Sequence, residues 1–277
     1  MIRIFIYREK NCLKQFLKVK KSEAGIFPLE RASVLMYHNI ATPPAGAKMR
    51  GLYVTPRMFR FQMWYLKRAG FRVVPLKEIV DIAKAGGKDK KQKNLVSLTF
   101  DDGYLDFFEN AFPVLKKYGY PATVFVVPGL AGRHNLWDSD CLGAKKDLMD
   151  WEKIRYLNNN GITIGAHTQT HPRLSSLSPE DIKMEVFGSK AQIEEQTGRP
   201  ADFFCYPYGD FNDVAVRVVK EAGFHGALSV ERGFVSMGDD PFTLKRIPVW
   251  LNTWPLSFIY KLHSDYEARK GRPAGKE

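Results

Sequence analysis

Two rhythms of apolar and polar positions alternate along this 277-residue chain. Short apolar runs of strand length are repeatedly followed by longer segments whose apolar residues recur at helical spacing. SVLMYHNI, ending close to His38, reads as the first strand. TPRMFRFQMWYLKRAGF carries apolar residues at helical spacing and closes at Gly70. FRVVPLKEIVDIAKAG predicts a short strand and then a helix ended by Gly86 and Gly87. LVSLTF, residues 95–100, reads as a buried strand, and YLDFFENAFPVLKKYGY as a helix stopping near Gly119. ATVFVVPG is the next strand, MDWEKIRYLNNNG a helix with Gly161 just past its end, and ITIGAHTQTH a strand running into polar residues. SPEDIKMEVFGSKAQIEEQTG predicts a long helix with Ser178 as its N-cap. FFCYPYGD, NDVAVRVVKEAGF and HGALSV then read as strand, helix and strand.

This alternation argues for an α/β fold with parallel strands and helices outside. No internal repeat and no linker divides it. A single domain over 33–263 is expected, preceded by a basic segment, 1–32, and followed by a flexible basic tail, 264–277. Unusual polar residues follow three separate strands: Asp101 and Asp102, then His167 and His171, then Tyr206 to Gly209. In barrel-type α/β folds the C-terminal strand ends carry the chemistry, so three such ends point to one shared site.

Charge modifies the picture. With 42 Lys and Arg against 30 Asp and Glu, the net charge is +12. Much of the excess lies in the first 21 residues, in the loop holding Lys88, Lys90, Lys91 and Lys93, and in the tail. Such an excess attracts anions: nucleic acid, phosphorylated sugars or an acidic membrane surface. No nucleic-acid-binding motif is present and the lysines are not interleaved with stacking aromatics, so specific nucleic-acid recognition is not expected. Cys12, Cys141 and Cys205 share no close spacing, which implies neither a disulfide framework nor a zinc knuckle. The first residues lack the apolar core and cleavage site of a signal peptide, and no apolar run approaches the roughly 20 residues of a membrane span. The expected location is cytoplasmic, with peripheral contact at an anionic inner membrane.

The pair Asp101-Asp102 ends a buried strand, where like charges repel and resist desolvation. Either one carboxylate caps the next helix while the other is solvated, or a metal holds one and leaves its neighbour as a base. His167 and His171, four residues apart after another strand, favour the metal. Two imidazoles and a carboxylate occupy one face of a divalent ion and leave positions open for water and substrate. Zn²⁺ is the default for these ligands; Co²⁺, Ni²⁺ or Mn²⁺ also fits.

TFDDGY, HTQTHP and YPYG, in that order, resemble the motifs of the polysaccharide deacetylase family, with its NodB-type homology domain (carbohydrate esterase family 4). The similarity spans roughly Ser33 to Leu251. The resemblance implies a distorted (β/α) barrel, often seven-stranded, and metal-dependent removal of N-acetyl or O-acetyl groups from sugars. By the same resemblance Asp101 is the catalytic base, Asp102, His167 and His171 are metal ligands, and Tyr208 offers its backbone N–H to the developing oxyanion. Thr168 shapes the ligand loop and Pro172 stiffens its exit.

Two departures stand out. Many relatives carry an arginine shortly before Pro-Tyr-Gly that orients the base, whereas DFFCYPYG has none; Arg246 in TLKRIPV is the substitute from a later strand. The leaving-group acid also lacks a clear motif. His38 in LMYHNI resembles the first-strand histidine of the poly-N-acetylglucosamine deacetylase branch and is favoured over His263. His134 and His225 read as structural or surface residues. Tyr206, Pro207, Arg246 and Trp250 are candidate substrate contacts. The expected substrate is an N-acetylated sugar in a glycan or glycan precursor, phosphate- and lipid-linked forms included. An O-acetyl polysaccharide esterase and a catalytically silent sugar binder are the alternatives.

Overall fold

The computed structural model describes residues 31–85, 94–137 and 143–271. The basic segment through residue 30, the lysine loop at 86–93, Cys12, Cys141 and residues 272–277 lie outside that range. The first strand, β1, is Arg31–Tyr37. There follow α1 Pro56–Arg68, β2 Arg72–Val73, α2 Leu76–Lys84, β3 Leu95–Phe100, α3 Phe112–Tyr118 and β4 Ala122–Val126. Then come α4 Trp151–Asn159, β5 Ile162–Ala166, α5 Pro179–Thr197, β6 Phe203–Cys205 and α6 Asp213–Glu221. The chain continues through β7 Gly226–Arg232, β8 Val235–Ser236, β9 Leu244–Pro248, α7 Pro255–His263 and α8 Tyr266–Lys270.

Seven parallel strands close on themselves in the order β1-β3-β4-β5-β6-β7-β9, with β9 returning to β1. Of the two short outlying strands, β2 extends the edge of β3 and β8 pairs antiparallel with the start of β1. This is the distorted (β/α) barrel. Every residue of β3 is buried, as expected of a strand covered on both faces. The distortion is local: one register pair, Ala166↔Phe204, joins β5 to β6, and the β7–β9 register shifts between Leu228 and Arg232.

The helices obey the polar pattern. In α1 the buried side is Phe59, Gln62, Met63, Tyr65 and Leu66, while Arg57, Arg60, Lys67 and Arg68 face outward. Ser178 is the N-cap of α5, its hydroxyl accepting from the Asp181 N–H, and Asn212 caps α6 in the same way. The helix after β3 opens with a π segment, Phe107–Ala111. Pro113 has no N–H to donate to the preceding turn, which accounts for the wider winding there.

The chain end departs from expectation. In place of a flexible tail from residue 264, α8 folds back and Glu267 is fully buried. Its carboxylate accepts from Lys261 Nζ at 2.7 Å and Arg232 Nε at 2.8 Å. A basic tail composition hides this, because one acidic residue answers two cations that lie elsewhere in sequence.

Candidate active site

The site is built on strand ends under backbone constraint. Among the described residues five non-glycine residues have positive φ, and four of them are Asp102 (75°), Thr168 (61°), His171 (71°) and Tyr208 (59°). Each such conformation costs on the order of 1–3 kcal/mol and persists only where surrounding structure dictates it. The strain is concentrated on the three motifs that follow β3, β5 and β6.

Asp102 Oδ1 lies 3.4 Å from His167 Nε2 and 3.3 Å from His171 Nε2, and all three residues are buried. These separations exceed an ordinary N–H···O bond. They suit donors sharing one ion: metal–ligand bonds of roughly 2.1 Å at tetrahedral angles put neighbouring ligands about 3.4 Å apart. The donor set therefore fits a divalent cation. His167 Nδ1 sits 2.7 Å from the Cys205 carbonyl, so donating there leaves Nε2 with a lone pair toward Asp102. Burial pushes the His171 imidazole down to about 4, which keeps it neutral and able to ligate. Among the described residues nothing hydrogen-bonds His171 Nδ1, and the ring is held by packing: Trp137 stacks on it at 4.4 Å and Tyr208 meets it edge-on at 4.7 Å.

The loop bearing the two histidines has its own scaffold. The Thr168 hydroxyl accepts from the His171 N–H at 3.0 Å. One carboxylate on α5, Glu185, accepts from the backbone N–H of Gln169 and of Thr170 and from the Thr170 hydroxyl. Gly129 donates its N–H to the Gln169 carbonyl at 3.0 Å, and a Cβ at that position would stand 2.5 Å from the same oxygen. Only glycine permits so close an approach.

Asp101 faces a different environment. Arg246 reaches from β9 with two parallel bonds, Nη1 to Oδ1 at 2.7 Å and Nη2 to Oδ2 at 2.8 Å. Burial opposes ionisation of Asp101, but the guanidinium overrides it and holds the carboxyl below its usual range. His38 Nε2 stands 3.8 Å from Asp101 Oδ2, with the histidine side chain partly exposed. The Cys205 thiol packs beneath, 3.2 Å from Arg246 Nη2 and 3.7 Å from Asp101.

The structure thus gathers Asp101, Asp102, His38, His167, His171 and Tyr208. Other expected contacts go elsewhere. Arg246 is fully buried and directs its donors to Asp101, Thr99, Ser229 and Cys205, so it holds Asp101 and offers no face to substrate. Tyr206 is likewise fully buried, its hydroxyl donating to the Phe242 carbonyl and its ring against Phe204 and Phe211. Pro207 is buried beside it. Trp250 packs under the cations of Arg232 and Lys261. His263 sits by Tyr65 Oη at 2.9 Å and against Phe71. His225 is exposed and His134 bridges to Asp147. Glu185, Gly129 and Trp137 escape sequence reasoning, because each lies outside the motifs and no spacing along the chain marks it.

The family model for polysaccharide deacetylase matches residues 88–227. YxkH of Bacillus subtilis (strain 168), provisionally named a polysaccharide deacetylase, is 29% identical over 217 residues, covering 78% of this chain and 70% of that protein. The poly-beta-1,6-N-acetyl-D-glucosamine N-deacetylase of Staphylococcus aureus (strain MSSA476) is 29% identical over 206 residues, covering 73% of this chain and 70% of that protein. Among solved structures, the deacetylase PplD of Streptococcus pyogenes, in complex with acetate, superposes with a TM-score of 0.70 at 25% identity, covering 84% of this chain and 99% of PplD.

Proposed function

This chain belongs to the polysaccharide deacetylase family, and from that premise we propose that it is a metal-dependent hydrolase removing acetyl from N-acetylglucosamine units of a glycan. The sugar follows from the name of the Staphylococcus aureus relative. The observation that carries the reading is the division between adjacent carboxylates: Asp102 faces two imidazoles, while Asp101 faces a guanidinium and His38.

A divalent cation, Zn²⁺ by ligand type, would be held by Asp102, His167 and His171 and would supply Lewis-acid polarisation of the acetamide and a lower pKa for water. Asp101, kept ionised by Arg246, takes a proton from the attacking water. As the new C–O bond forms, the backbone N–H of Tyr208 meets the developing oxyanion; one such donor is typically worth about 2.7–4 kcal/mol. His38, across from Asp101, gives a proton to the nitrogen as the C–N bond breaks, releasing acetate and a free amine.

The test is acetate release from β-1,6- and β-1,4-linked N-acetylglucosamine oligomers and from O-acetylated xylan, before and after chelation and Zn²⁺ return. Release from an N-acetyl oligomer, lost on chelation and restored by metal, is the expected result. Release from the xylan alone would replace the reading with an esterase. Metal-loaded protein that binds an oligomer without releasing acetate would replace it with a sugar binder.

A further inference from the structure

We propose that the buried ion pair Asp106–Lys146 positions His38 for its proton transfer, an inference that rests on the role given to His38 above. Among the described residues the His38 imidazole makes no hydrogen bond, and the Asp101 carboxylate stands 3.8 Å from its Nε2. Its place is therefore set by the backbone that carries it. Directly after it, the Ile40 N–H donates to Asp106 Oδ1 at 2.9 Å, and the Ile40 carbonyl accepts from Asn110 Nδ2 at 3.0 Å. Asn39 holds its neighbours through its main chain, bonding Leu52 and Val54. The Asn39 amide, though fully buried, has no hydrogen-bond partner among the described residues.

Asp106 is itself fixed from the far side. Lys146 Nζ donates to Oδ2 at 2.8 Å, with both side chains mostly buried. Lys146 belongs to the segment before α4, which is tied down by Lys146 N–H to Asn135 Oδ1 and Leu105 N–H to the Asp147 carbonyl. Its ammonium also lies 5.7 Å from the Tyr53 ring centroid, and Tyr53 pairs with Asn39. The pair thus clamps the chain just past His38 to the turn just past Asp102.

A buried ion pair is weak evidence for stability, since desolvation offsets much of its attraction. Placement is the better account of this one, because a displacement near 1 Å at a reacting group costs about 10²-fold in rate. Asp106 is a positioning residue: it touches the chain that bears His38 and no reacting atom.

The experiment is a double-mutant cycle read as acetate release from a β-1,6-linked N-acetylglucosamine oligomer, with exchange of the Ile40 amide followed by NMR. Asp106→Ala should lower kcat about 10- to 100-fold with KM within about twofold, and should speed Ile40 exchange. Asp106→Asn, which keeps an acceptor for Ile40, should recover most of the loss, and Lys146→Met should fall between them. In a His38→Ala background the Asp106→Ala loss should vanish. An undiminished loss in that background, or unchanged Ile40 exchange, would overturn the inference while leaving His38 its role. Full turnover in His38→Ala alone would remove the role of His38 and this inference with it. Should Asp106→Ala fail to fold, Lys146→Met takes its place in the cycle, and the same two outcomes would overturn the inference.

Discussion

Replacing Arg246 with methionine would leave the Asp101 carboxylate, 3% exposed, without the guanidinium that bonds both its oxygens. Removing one partner from a buried pair costs roughly 3–5 kcal/mol, because the other charge stays desolvated. At 1.36 kcal/mol per pKa unit that corresponds to an Asp101 pKa raised by about 2–4 units. The sign follows from linkage. In the native protein the carboxyl is held below its ordinary value, so its stabilisation is present above the unfolded pKa and lost as pH falls through the folded one. In Arg246→Met the folded pKa moves above the unfolded one, near 3.9, so the destabilisation is largest at neutral pH and shrinks once the carboxyl protonates. The Ser229 carbonyl and Thr99 hydroxyl lose a donor too, adding an offset of about 1–3 kcal/mol that does not vary with pH. Urea unfolding of both proteins, stripped of metal, at mildly acidic and neutral pH separates the two parts. Turnover of the metal-loaded variant at neutral pH should fall about 10²- to 10⁴-fold, the usual worth of a general base. Arg246→Lys should recover only part, since a point charge cannot reproduce the two parallel bonds. A destabilisation below about 1 kcal/mol and independent of pH would refute the reasoning.

Two further substitutions test the scaffold. Glu185→Ala, which strips two backbone donors and the Thr170 hydroxyl of their acceptor, should weaken Zn²⁺ affinity about 10- to 100-fold in competitive chelator titration, with little change in fold by circular dichroism. Glu267→Ala should cost about 3–5 kcal/mol in urea unfolding by leaving Lys261 and Arg232 without their common anion; a loss under about 1 kcal/mol would mean that the chain end adds nothing to the barrel.

Much of this was legible in sequence because it is local. The alternation of short apolar runs and helical patterns fixes the strand and helix order, and Asp101, Asp102, His167 and His171 announce themselves by chemistry that a strand end has no structural reason to hold. What stayed hidden is non-local. Arg246 lies 145 residues from Asp101, and nothing in TLKRIPV tells a guanidinium that bonds Asp101 from a substrate contact until the barrel closes β9 onto β1. Tyr206 misled because it shares a motif with Tyr208: it is buried directly after β6, while the αL turn at Tyr208 brings that residue against His171. Glu267 misled in the opposite way, as an acid in a basic tail whose partners sit on β7 and α7.

The central claim is that adjacent aspartates divide the work, one as ligand and one as base. Zn²⁺ content and acetate release measured side by side on Asp101→Asn and Asp102→Asn test it most directly. Asp101→Asn should retain stoichiometric metal and lose at least about 10²-fold in turnover, while Asp102→Asn should lose the metal itself. Metal loss in Asp101→Asn with metal retained in Asp102→Asn, or full turnover in Asp101→Asn, would contradict the account.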